Sequence, residues 1–217
     1  MLSFFKKLHF LLLFLLTLLY CVFIAISAKY GHEQITHVVF ATLFTASILF
    51  IANDERHILL WVSILWIVKL MQVAASLWII NSELNELKAF LAMSGFLLMT
   101  IACLKLTVKE QTISITTLFG SLSAYLFIGL SFAYFFIMVD LIYPSTFYGL
   151  RPYEETRAIY YSFVTLTSVG FGDIVSKDPI IQTVTWIEAF CGQAYMVMFI
   201  SLLVGRYITD RMNSTLK

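Results

Sequence analysis

The chain has 217 residues, of which 60% are hydrophobic, 16% aromatic and only 12% charged, with a formal net charge of +1. Soluble domains carry about a quarter charged residues, so a mean hydropathy of +0.89 assigns the chain to a lipid bilayer. It also excludes disordered, collagen-like and disulfide-scaffold classes, and the near-neutral charge gives no reason for a nucleic-acid partner.

A membrane-spanning helix needs about 20 mostly apolar residues. Polar clusters cut the chain into six such lengths: Phe10–Ala28, Ile35–Ala52, Ile58–Ile80, Ala89–Leu104, Thr117–Ile142 and Ile180–Ile208. The expected fold is therefore all-α and membrane-embedded, with six transmembrane helices. The first span follows Lys6 and Lys7 and carries a signal-like Ala25-Ile26-Ser27 stretch. Its apolar run is longer than the roughly 7–15 residues of a signal core, so a retained helix is expected. Cys21, Cys103 and Cys191 each lie inside apolar runs and read as small core hydrophobes.

Around the start of the second span, His32 and His37 flank Glu33 in a pattern that looks like a zinc-protease motif. That motif needs histidines four apart on one helix face; here they are five apart, about 140° round a helix. Paired catalytic carboxylates and a nucleophile elbow are also missing from the sequence, and an enzyme is not expected. His9, His32, His37 and His57 fall near expected membrane edges, as interfacial polar residues do.

Lys69 falls near the middle of the third span, where a charge is costly unless paired or hydrated. Snorkelling, neutrality and a partner on another helix all remain open. The fourth span is short and is crowded by Lys88, Lys105 and Lys109. A voltage sensor needs several basic residues along one helix, each worth about 2.3 kcal/mol per 100 mV. None stands between Lys88 and Lys105, so weak or absent voltage dependence is expected.

Lys and Arg are held on the cytoplasmic side. With the N-terminus inside, that side receives Lys6, Lys7, Arg56, Lys105, Lys109, Arg206, Arg211 and Lys217, against Lys29, Lys88, Arg151, Arg157 and Lys177 outside. Both termini are thus expected in the cytoplasm, and the loop from Tyr143 to Pro179 faces outward. The chain's three prolines, Pro144, Pro152 and Pro179, all lie in that loop. Pro152 with Glu154 and Glu155 reads as a helix first turn, and Asp178-Pro179 as N-cap and N1 of the last span. Glu154 to Leu166 makes only about three turns, too short to cross a bilayer, so it must dip in and return.

Immediately after it comes Thr165-Leu166-Thr167-Ser168-Val169-Gly170-Phe171-Gly172-Asp173. Non-helical backbone at membrane depth is tolerated only where protein or a water-filled path satisfies it. Gly170 and Gly172 permit backbone angles closed to other residues, which lets successive carbonyls turn toward one axis. Four such strips round that axis would replace the water shell of a dehydrated cation.

Residues 165–173 resemble the potassium-channel signature sequence. Val169, Gly170, Gly172 and Asp173 agree with it, Ser168 stands where threonine is usual, and Phe171 where tyrosine is commonest. Phe171 lacks a hydroxyl to bond the surrounding helix. The resemblance implies K+ ligation by the carbonyls of Thr167, Ser168, Val169, Gly170 and Phe171 and by the Ser168 hydroxyl, with Gly172 closing the filter and Asp173 and Thr165 supporting it. It covers about 100 residues, from Thr117 to the C-terminus, and implies a pore domain over 116–217; residues 1–115 are expected to form a sensor-like four-helix domain without gating arginines. In the pore domain, 117–142 is the outer helix, 154–166 the pore helix, 167–172 the filter and 180–208 the inner helix.

Gly192 lies 20 positions after Gly172, where the family often has a glycine hinge; close helix packing is the other reading. Met196 and Ile200, with Leu203 or Val204, recur at helical spacing and form either a cytoplasmic gate or a packing stripe. Glu188 is a carboxylate within the last span, a functional-site hypothesis by default. It either adds negative potential near the cavity or, the preferred reading, hydrogen-bonds the pore helix from behind. After Ile208 nine residues follow, so ligand gating is expected through the membrane part or a separate regulatory subunit. One filter per chain requires four subunits round the axis; three further copies, a homotetramer in the cell membrane, are the simple answer and a mixed assembly the other, and the ring is expected to conduct K+ passively and without a cofactor. A non-conducting or regulatory subunit built on the same fold is the alternative.

Overall fold

A computed structural model describes residues 2–30, 85–109, 115–150 and 155–215. Its helices are α1 (Leu2–Tyr30), α2 (Asn85–Lys109), α3 (Ile115–Ile142), α4 (Glu155–Leu166) and α5 (Pro179–Thr215), with β1 (Phe147–Tyr148) and β2 (Val175–Ser176) joining the loops on either side of α4. Four of the helices contain stretches long and apolar enough to cross a membrane: Phe10–Tyr30, Asn85–Lys105, Leu118–Ile142 and Pro179–Leu202. The expected second and third spans, with Lys69 and the His32–His37 pattern, lie outside the described residues, as do Pro152 and Glu154.

Helices run past the limits set by hydropathy. The fourth expected span, Ala89–Leu104, is the apolar middle of the 25-residue α2; α1 begins at Leu2, not Phe10; α5 continues to Thr215, beyond Ile208. Hydropathy marks the length that meets lipid, whereas the backbone ladder continues as long as each amide finds its carbonyl. Hydroxyls inside the apolar lengths bond back into their own helix. Thr17 donates to Leu13 O (2.8 Å), Thr100 to Phe96 O (3.0 Å) and Ser131 to Phe127 O (2.8 Å), which satisfies a polar group where no water is available.

The core lies between α1, α2 and α3. Phe96 of α2 is fully buried and stacks on Phe127 and Tyr134 of α3, with centroids at 6.0 and 5.6 Å. Tyr20 of α1 shares a hydrogen bond with Tyr134, hydroxyl to hydroxyl at 2.6 Å. A second cluster joins the C-terminal end of α3 to α4 through Phe136, Phe147 and Tyr161, whose rings meet edge to face at 5.0–5.7 Å. The 12-residue α4 is about 18 Å long, short of the roughly 30 Å hydrocarbon core. It packs between α3 and α5.

The expected cap of the last helix is present. Asp178 Oδ1 accepts from Ile180 N (2.7 Å) and Ile181 N (3.2 Å), with Pro179 as the first helical residue; these are the N2 and N3 amides that an N-cap serves. The ribbon was not foreseen: β1 and β2 run antiparallel, pairing Phe147 with Ser176 and Tyr148 with Val175. Lys177 N donates to Thr146 O (2.8 Å), and the Lys177 ammonium lies 4.0 Å from the Tyr148 ring centroid. The chain is thereby tied together just before α4 and just after the strip that follows it.

Candidate functional site

The strip begins as a helix C-cap. Ser168 N donates to Thr165 O (2.8 Å) and Val169 N to Val164 O (2.9 Å), the paired bonds of a Schellman motif with Ser168 in its left-handed C′ position. The Ser168 φ is 58°. Gly170 N reaches Val164 O as well, at 3.3 Å. Three successive amides therefore point back at the end of α4. All peptides here are trans, and in a trans peptide the carbonyl of one residue opposes the next residue's N–H. The carbonyls of Thr167, Ser168 and Val169 consequently point away from α4, and residues 167–173 are exposed.

Beyond the cap, φ is positive at Gly170 (59°) and Gly172 (76°) but not at Val169 or Phe171. Alternation of this kind keeps turning successive peptide units the same way, separating amides from carbonyls. Phe171 replaces the missing hydroxyl contact with stacking: its ring lies parallel to that of Tyr160 on α4, 6.4 Å away at 3°. Tyr160 in turn donates its hydroxyl to Asp173 Oδ1 at 3.1 Å. Partial removal from water, together with the adjoining Asp173, raises the Tyr160 pKa above its usual value, so the phenol is a standing donor at neutral pH. Gly149 (φ 81°) passes so close to Asp173 O that no Cβ fits between them.

Behind α4, Ser162 is fully buried. Its hydroxyl lies 2.7 Å from Gly129 O on α3 and makes a short hydrogen bond with Glu188 Oε1 on α5. Glu188 is also fully buried, and its Oε2 finds no partner among the described residues. The carboxyl therefore sits against α4, in the position of the second of its two sequence readings. Gly129 leaves room for Phe163, whose ring would stand 2.9 Å from a Cβ there. Gly192 does the same on α5, where a Cβ would collide with Leu166 O; that oxygen also accepts the Tyr125 hydroxyl at 3.3 Å. Gly192 thus stands at a close approach between α4 and α5. Further down, Tyr195 donates to Ser121 O (2.6 Å).

Thr165 is buried and contributes its main-chain carbonyl to the cap. The Thr167 hydroxyl bonds back to Phe163 O at 2.7 Å. Met196 and Ile200 are exposed on α5 along with Phe190, Val197 and Met198; the side chains of Leu203 and Val204 lie outside those described. Sequence reasoning missed Tyr160, Ser162, Gly129 and Gln193, the last of which donates its amide to Ser168 Oγ at 3.0 Å. Only helical spacing could have found them, once α4 was placed beside α5.

Among the described residues, four helices long and apolar enough to cross a membrane, a short helix between two of them and a capped, exposed strip fit a helical membrane protein. Residues 127–209, from the middle of α3 to near the end of α5, match the family described as "Ion channel". A stretch of 57 residues, 26% of the chain, is 30% identical to the inward rectifier potassium channel Kirbac3.1 of Paramagnetospirillum magnetotacticum and spans 19% of that relative's length. No solved structure matches the chain.

Proposed function

We propose that the chain is one subunit of a homotetrameric, potassium-selective channel, in which α3 is the outer helix, α4 a re-entrant pore helix, residues 167–172 the filter and α5 the inner helix. The observation that carries the reading is the set of three amides, at 168, 169 and 170, turned back onto α4. It leaves the carbonyls of Thr167, Ser168 and Val169 on the open side, with Gly170 and Phe171 continuing the strip. Four copies round an axis give stacked oxygen rings that replace the water of a dehydrated K+. The C-terminal end of α4 carries the negative pole of its helix dipole, which favours a cation at the inner end of the strip.

The ring requires three further copies of the chain. Only 11% of the apolar stretch of α5 is buried within one chain, and residues 167–173 are open, which supports an assembly that covers them. Among the described residues, α2 carries basic side chains only at Lys88, Lys105 and Lys109, so little voltage dependence follows. The subunit sits in a cell membrane with both termini cytoplasmic and needs no cofactor; K+ flows passively down its gradient.

The test is ion flux from liposomes holding the purified chain, loaded with K+ and diluted into Na+ or K+, with barium as blocker. Barium-sensitive K+ flux that vanishes in Gly170→Ala is the expected result. Equal flux of Na+ overturns selectivity, and silence from a folded tetramer transfers the assignment to a non-conducting or regulatory subunit.

A further inference from the structure

Ser168 stands where the potassium-channel signature usually has threonine, and its backbone is left-handed. A φ of 58° is uncommon for any residue but glycine and a genuine outlier for a β-branched one. Serine tolerates the position better. It lacks, however, the second heavy atom on Cβ that makes threonine stiff about χ1, so its hydroxyl oxygen has three staggered places to go. An oxygen without a fixed place is a poor ligand for an ion that must be recognised by size.

Gln193 supplies the missing restraint. Its Nε2 donates to Ser168 Oγ at 3.0 Å, from one residue beyond the point where Gly192 meets Leu166 O. The close contact at Gly192 fixes α5 relative to the end of α4, and so fixes the reach of the neighbouring amide. A hydroxyl has one proton and two lone pairs. With the amide N–H on one lone pair, the other remains open, and both side chains are exposed at the strip's inner end.

We propose that Gln193 is a positioning residue that holds the Ser168 hydroxyl as the innermost oxygen ligand of the pore, making ion discrimination there depend on α5. The inference rests on the potassium-filter reading above. It assigns to α5 a part in selectivity that the signature sequence alone does not contain.

The test uses the full chain in liposomes and reads two quantities, the K+ to Na+ flux ratio and the concentration of barium, a divalent ion of potassium's size, that halves K+ flux. Gln193→Leu and Gln193→Met keep the volume, remove the donor and add no charge. Each is expected to lower the flux ratio and raise the half-blocking barium concentration by about three- to tenfold, the worth of one hydrogen bond. In a Ser168→Ala background, where no hydroxyl remains to be held, Gln193→Leu is expected to change neither quantity further. A merely structural role would reduce total flux and leave both quantities alone, and that result overturns the proposal. So does an equal Gln193→Leu effect with or without the Ser168 hydroxyl. Wild-type protein that fails to prefer K+ overturns the filter reading itself, and is told apart because it needs no variant.

Discussion

Gly192 of α5 and the carbonyl oxygen of Leu166 at the end of α4 meet in a contact with no room for a Cβ. The oxygen cannot retreat freely, because it also accepts the Tyr125 hydroxyl from α3, and the next residue begins the cap that orients the strip. Gly192→Ala is therefore expected to destabilise the protein by about 1–3 kcal/mol through overpacking. A hinge glycine predicts the opposite sign, since alanine in an unstrained helix interior is better by about 1 kcal/mol. Thermal unfolding in detergent distinguishes the two: a lower Tm supports the contact, and a raised Tm with altered flux supports the hinge.

Glu188 and Ser162 present a question of proton supply. Ser162 has one hydroxyl proton, yet its oxygen lies against both Gly129 O and Glu188 Oε1, and a carbonyl can only accept. A donor at position 188 completes a chain running from residue 188 to Ser162 to Gly129 O without competition. Glutamine is such a donor and nearly the same shape, so Glu188→Gln is expected to stay within about 1 kcal/mol of the parent. Glu188→Ala removes the partner and opens a hole between α4 and α5, at a cost of about 2 kcal/mol or more. Unfolding curves of the two variants check the contrast; equal losses would deny the hydrogen-bonded chain.

The contrast between what was legible and what was not follows from the range of each signal. Asp178-Pro179 announced the start of α5 because capping is chemistry between neighbours in sequence. The brevity of α4 was legible from length alone, as was the Gly-alternating strip after it. Lys88, Lys105 and Lys109 crowd the fourth span and leave its ends open to sequence reading, since lysine near a helix end keeps its stem along the helix and its charge in water. The β1–β2 ribbon is two residues on each side, too short for any periodicity. Ser168 gave no sign of its left-handed backbone because serine does not demand one; only the amide pattern from 168 to 170 reveals it. Gln193, Ser162 and Gly129 matter through contacts across 25 to 33 positions, which no local pattern encodes.

Asp178 serves the two amides that open α5, and α5 positions Thr185, Glu188 and Gly192 against α4. Loss of an N-cap costs about 1 kcal/mol. Asp178→Ala is expected to lower stability by that amount, whereas Asp178→Ser, which keeps an accepting oxygen, is expected to recover most of it. Parallel denaturation of the three proteins measures the effect. No difference between alanine and serine would mean that the amides are satisfied by other means.

Tyr160 holds the C-terminal end of the strip in two ways: its ring stacks on Phe171 and its hydroxyl donates to Asp173. The phenol pKa is raised above its usual value of 10.0, chiefly by partial removal from water and then by the Asp173 hydrogen bond and charge. A folded-state pKa above the unfolded one means that the protonated form favours folding. The contribution is complete below the usual tyrosine range and disappears as the pH rises through the raised value. The contact is thus expected to be indifferent to pH from acid-neutral conditions up to the ordinary tyrosine range, and to fail only in stronger alkali. Ultraviolet titration of tyrosinate should show the late-ionising fraction smaller by one residue in Tyr160→Phe than in the parent. In flux measurements at neutral pH, Tyr160→Phe keeps the stacked ring and loses the tether, so K+ flux is expected to start at the parent rate and decline faster. A steady flux would show that stacking alone keeps Phe171 in place.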